Sequence, residues 1–156
     1  MLAAAMDVVF AAEGTLFLPG LVEYFSVPWD LSPREDKEIL MEHHFITAAE
    51  ALAYGFVNRT YPADQLEAET LAYAGRVADN YLTAPAWTGT IKASINHMEE
   101  TMGFSAEIES AYTSFCMMFG LGAHTAARPE DGGFARTKIA RRNFELAKDW
   151  LRKRNL

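Results

Sequence analysis

Few side chains in this sequence are typed and spaced for chemistry. His43 and His44 follow Glu42, yet neighbours on a helix point about 100° apart and cannot share one ion. His97 and His124 stand alone, and the chain has no HxxxH, CxxC or phosphate-loop glycine pattern and no serine triad. Cys116, the one cysteine, lies in "SFCMMF". It can form no internal disulfide and reads as a buried thiol. The strongest signal is charge. From Phe134 to Leu156 eight basic residues face two acidic ones, a tail of +6, while the whole 156-residue chain carries −7. The body before it is therefore at −13. Such a tail suits an anionic ligand or an acidic neighbouring surface, and a solvated helix face is the alternative. Nucleic-acid binding is disfavoured, because one basic helix sits on an acidic body.

Elements must hold these residues in place. "DVVFAA", Asp7 to Ala12, reads as a buried strand, Glu13-Gly14 as a turn and "TLF" as a second extended piece. A proline-rich loop with one helical turn follows, then a helix capped by Ser32 with Pro33 and Glu35 behind it. Thr47 and Glu50 form a capping box for "AAEALAY", and Gly55 supplies a left-handed stop. "FVNRTY" is extended. Pro62 breaks it, and Asp64 with Glu67 predicts a second box opening a helix through Leu66, Thr70, Tyr73, Val77 and Tyr81. Three more helices carry apolar stripes: Ile91, Ile95, Met98, Met102; then Ile108, Tyr112, Phe115, Phe119; then Ile139, Phe144, Trp150, Leu151. At this spacing they read as core. "NRT" at Asn58 matches a glycosylation sequon by chance. The opening residues have no basic flank, Asp7 and Glu13 interrupt them, and no later stretch is long enough to span a bilayer. One soluble cytoplasmic domain is expected.

The run "FITAAEALAYGFVNRTYPADQLEAETLAYAGRVADN" resembles the crotonase superfamily of enoyl-CoA hydratases and isomerases. The likeness runs through Ile46, Ala51, Gly55, Val57, Asn58, Pro62, Leu66 and Ala74. Upstream, "AAAMDVVFAAEGTLF" is similar to the family's strand, with Asp7 and Phe17 in their usual places; "IKASIN" and "GGFARTKIARRNF" match more weakly. The resemblance implies an α/β (α+β) fold, an incomplete crotonase-like ββα spiral. Residues 1–82 would belong to the spiral core and 83–156 to a helical oligomerisation or cap region. A typical member has a large half before the position of Met1, including the glycine-rich oxyanion hole that stabilises charge on a thioester oxygen.

What the resemblance implies for the site is specific. The family's two glutamates fall at Met1 and Leu21, neither of which carries a proton. Glu23 in "VEYF", with Tyr24 beside it, is the nearest carboxylate; Asp30 is a more distant substitute, and a water-facing loop role for Glu23 is the alternative. "VPWDL" replaces a glycine-rich segment, so Trp29 alters the pocket. Phe134 matches the family's C-terminal Phe near the CoA adenine, and Arg136 and Lys138 flank the usual phosphate-contacting lysine. The implied substrate is a coenzyme A thioester, with no covalently bound cofactor and no metal. The implied assembly is a homo-oligomer, trimer or hexamer. The implied reaction is hydration or isomerisation through a thioester enolate; the alternative is a non-catalytic truncated or divergent module that oligomerises and binds acyl-CoA weakly or not at all.

Overall fold

The computed structural model describes residues 3–18, 27–121 and 135–153. A 3-10 turn at Ala3–Ala5 precedes β1 (Phe10–Ala12) and β2 (Leu16–Phe17). Then come α1 (Val27–Asp30), α2 (Pro33–Glu42), β3 (Ile46–Thr47), α3 (Ala48–Tyr54) and β4 (Arg59–Tyr61). Four long helices close the order: α4 (Leu66–Thr83), α5 (Pro85–Thr101), α6 (Phe104–Gly120) and α7 (Ala135–Lys153). The protein is α+β, mainly helical, with two strand pairs among the described residues. β1 runs parallel to β4 with Phe10 opposite Arg59 and Ala12 opposite Tyr61. β2 runs antiparallel to β3 with Leu16 opposite Thr47.

Local chemistry explains the front half. Ser32 and Glu35 close a capping box at α2, with Pro33 inside the first turn. At α3 the Glu50 amide donates to Thr47 Oγ1 at 3.3 Å and the Thr47 amide donates to Glu50 Oε2 at 2.8 Å. Gly55 ends α3 at φ 91°, the left-handed region that glycine enters without a Cβ penalty. Thr47 also closes β3, so one residue ends a strand and caps a helix. The core gathers here: Ile39, Ile46 and Val57 are each 1% exposed, with Ala48, Ala51, Leu31 and Ala11 around them. Burying each of the three large side chains stabilises by about 1.5–3 kcal/mol.

Four expectations are corrected. The strand is shorter than Asp7–Ala12, because the Val9 amide bonds the Asn58 side chain and Asp7 pairs with Lys92 instead of joining a ladder. Asp64 does not cap α4. The Gln65 and Leu66 amides both donate to the Pro62 carbonyl, so residues 63–65 already turn and the cap position has no side-chain hydrogen bond. Cys116 is exposed rather than buried. The apolar stripes are not core either: α4 and α5 hold no buried residue, and Tyr81, Ile91, Ile95, Met98, Met102 and Tyr112 are all exposed. α4 meets the β1–β4 pair through a small aromatic cluster. Phe10 packs edge-on against Tyr61 and Tyr73, and the Arg59 guanidinium lies 5.5 and 5.4 Å from the Phe10 and Tyr73 rings.

Candidate functional site

Two cavities flank the Ala3–Ala5 turn. The first, about 230 Å³, is lined by side chains with no charge: Leu16, Phe17 and Leu18 from β2 and its exit, Val27 and Leu31 around α1, and Ile46 and Phe56. Its edges are fixed by the core, since Phe17 stacks edge-on to Phe56 at 5.4 Å and Ile46 is buried. Leu18 is the last described residue before segment 19–26 and Val27 the first after it. Leu18 and Val27, the neighbours of that segment in the sequence, both line this cavity.

The second cavity, about 290 Å³, is polar and acidic. Asp7, Trp29, Asp30, Asn96, Glu99, Glu100 and Phe104 line it, and Ala4 borders both spaces. Trp29 packs edge-on to Phe104 at 5.3 Å, and its Nε1 is buried with no hydrogen-bond partner. Asp30 is exposed as a residue, yet its carboxyl is raised to about 6 by desolvation first, then by the charges of Glu99 and Asp36. Behind it Asp36 is 4% exposed, neither oxygen has a hydrogen-bond partner, and burial followed by Glu35 raises it to about 6 as well. A carboxyl near that value can hold or release a proton close to neutral pH.

The sequence candidates are placed unevenly. Glu23, Tyr24 and Phe134 lie outside the described residues, and Arg136 sits in the first turn of α7 with its side chain outside them. Lys138, two residues further on, is exposed. The structure does not bring Asp30 into the apolar cavity; it lines the acidic one. His44 Nδ1 lies 3.1 Å from Glu42 Oε2, and among the described residues no cluster of His, Cys, Asp and Glu is arranged to hold a metal ion. Sequence reasoning missed Asn143, which is 4% exposed and bonds the carbonyls of Glu42 and His43. It also missed Asn96, Glu99 and Glu100, and only the helical period that puts Asn96 and Glu100 on one face of α5 hinted at them.

Comparison with known proteins then decides the family. EchA13 of Mycobacterium tuberculosis, which bears an enoyl-CoA hydratase name, is 37% identical over 120 residues, covering 72% of this chain and 37% of that protein. A solved structure of a probable enoyl-CoA hydratase from Mycobacterium thermoresistibile shares 37% identity at a TM-score of 0.63, over 69% of this chain and 47% of that one. The chain belongs to the crotonase superfamily. A crotonase relative of known structure, an enoyl-CoA hydratase/isomerase from Xanthobacter autotrophicus Py2, aligns with 98% of this chain and 56% of its own at 27% identity and a TM-score of 0.65. The chain thus spans about half the length of these solved crotonases and 37% of EchA13. No protein-family model matches it. Within the crotonase frame, the described α+β body is a partial copy of the fold that these structures hold in full.

Proposed function

We propose that this chain takes part in acyl-CoA chemistry of the enoyl-CoA hydratase/isomerase type, with the apolar cavity receiving the acyl chain. The observation that supports the reading is the uncharged cavity lined by Phe17, Leu18, Val27 and Ile46 in a chain of crotonase fold. In hydration, the Glu23 carboxylate takes a proton from water as the water oxygen bonds the β-carbon of a 2-enoyl thioester. The π electrons move onto the thioester oxygen as an enolate, which returns to the carbonyl as the α-carbon takes the proton held by Glu23, restoring the carboxylate. Orienting the water is assigned to Tyr24, the next residue in the sequence. Donors aimed at the thioester oxygen supply the largest stabilisation of the enolate, and the resemblance places the family's donors in a glycine-rich segment before the position of Met1. Contact with the adenine of coenzyme A is assigned to Phe134 and contact with its phosphates to Arg136 and Lys138, since guanidinium and ammonium groups suit phosphate oxygens.

The test is spectroscopic. Crotonyl-CoA added to the protein should lose its conjugated enoyl absorbance, and Glu23→Gln should abolish the loss while leaving the fold intact. Turnover that survives Glu23→Gln would remove the acid/base assignment.

The second reading is a non-catalytic module that oligomerises, as a trimer or paired trimers, through the region from residue 83 onward. It is favoured by the exposed apolar side chains of α5 and α6, among them Trp87, Ile95, Met98 and Met117. Intact oligomers with no turnover would support it. Among the described residues no helix is long and apolar enough to cross a membrane, and we place the protein in the cytoplasm.

A further inference from the structure

A helix near the end of the chain closes the end of a helix near its start. α2 terminates at His43, which holds φ 55° and ψ 37°, a left-handed conformation sparsely populated outside glycine. The last carbonyls of a helix have no partner inside it. Here two of them are met from α7: Asn143 Nδ2 donates to Glu42 O at 3.0 Å and to His43 O at 2.6 Å. Arg142 Nε donates to Asn143 Oδ1 at 3.1 Å, which turns the amide so that its NH2 faces α2. Phe144, the next residue, packs on Phe45 at 5.4 Å. Asn143 is the buried polar residue of a helix whose other described side chains are exposed or half-buried.

We infer that Asn143 is a positioning residue that sets the axial register of α7 on the body and so places the cationic start of that helix for the phosphates of coenzyme A. The inference rests on the acyl-CoA reading above. Lys138 lies five residues before Asn143, about 7.5 Å along the axis. A slip or release of α7 at the dock therefore moves Lys138 relative to the body. The isosteric Asn143→Asp keeps shape and volume but offers no donor, and it sets a carboxylate oxygen against two carbonyls.

The experiment measures binding of coenzyme A and of dephospho-coenzyme A, which lacks the 3′-phosphate, to the full chain, its Lys138→Ala variant and its Asn143→Asp variant. The native chain should prefer coenzyme A by about tenfold, the scale of one charge-assisted phosphate contact. Lys138→Ala should erase the preference. Asn143→Asp should erase it too, with affinity for dephospho-coenzyme A held within about twofold, and the double variant should lose no more than either single one. If native protein and Lys138→Ala behave as stated but Asn143→Asp keeps the preference, the positioning role is overturned and the acyl-CoA reading stands. Equal loss of both ligands in Asn143→Asp, tracked by circular dichroism, would assign the residue to the fold and also overturn the role. Native protein that binds neither ligand would take down both readings.

Discussion

Asn58 and Val9 clasp each other in both directions: the Asn58 amide donates to the Val9 carbonyl at 2.8 Å, and the Val9 amide donates to Asn58 Oδ1, also at 2.8 Å. The pair lies just before the β1–β4 ladder and fixes its register, since Phe10 and Arg59 are opposite one another in the next step. A side chain here does what one more ladder residue would do, and it brackets the aromatic cluster on which α4 rests.

Asn58→Ala should lower stability by about 1 kcal/mol, the net worth of a typical intramolecular hydrogen bond. Asn58→Asp retains the acceptor for the Val9 amide and should lose less. Urea unfolding midpoints of the three proteins, with m-values unchanged, check the order. Equal midpoints for native protein and Asn58→Ala would mean that water replaces the side chain without cost.

The α3 caps make a second test. Thr47 is 4% exposed and forms both halves of its box with Glu50, including a hydroxyl bond at 2.8 Å. Thr47→Ala should cost about 1–2 kcal/mol and Thr47→Ser much less, because serine keeps the capping oxygen. At the other end Gly55→Ala should also destabilise, by about 1 kcal/mol, since φ 91° strains any side chain. Its added Cβ would meet only the Asp30 carbonyl at 3.6 Å, so the penalty is conformational rather than steric.

What the sequence revealed and what it hid divide along the range of the interaction. The boxes at Ser32 and Thr47 and the stop at Gly55 are three- to four-residue events, and all three are present. The box expected at Asp64 failed on the same scale, because Pro62 starts the turn early and Asp64 never adopts the cap position. The stripes on α4, α5 and α6 were legible as faces but not as core: periodicity defines a side of a helix and says nothing of what covers it. Asn143 and Asp36 were invisible for another reason. Their burial depends on partners brought together by the fold, a hundred residues away for Asn143 and His43. Of the candidate site, the family pattern pointed to Glu23 and Tyr24, which lie outside the described residues, while the joint lining by Phe17, Leu18 and Val27 emerged only in three dimensions.

Asp36 gives a pH prediction with a definite sign. Its carboxyl stands at about 6 in the folded protein against an ordinary 3.8, because burial penalises the ion and Glu35 adds to the effect. A raised folded value means that the native state binds the proton more tightly than the unfolded chain. Its contribution is full below about 4 and is lost as pH rises through about 6. Asp30 adds the same sign over the same window. Asp36→Asn should therefore flatten the fall in stability between about pH 4 and 6 and stabilise the protein at pH 7.5 by about 1–2 kcal/mol. The α2 dipole opposes part of this gain, since Asp36 sits in the first turn, where a negative charge is favoured. Thermal melts across pH for native and variant protein decide it; a variant less stable at pH 7.5 would mean that the ion is held by more than the helix end.

The exposed faces of α4 to α6 supply the last test, for the proposed assembly. Leu82 is 78% exposed, Trp87 71% and Met102 64%, and the stripe from Ile91 to Met98 continues between them. Apolar side chains exposed along one helix face are costly in water, which is the ground for the proposed assembly. If copies of this chain cover one another there, Ile91→Glu together with Met98→Glu should shift light-scattering mass from a multiple of 17.4 kDa toward the single chain, with helical content kept. The single substitution Leu146→Glu, near the far end of the chain in α7, should leave the mass unchanged although its side chain is 63% exposed. A chain that is monomeric before any substitution would rule out self-assembly and leave the stripe to a different polypeptide, because desolvation of these side chains needs a partner surface of comparable size.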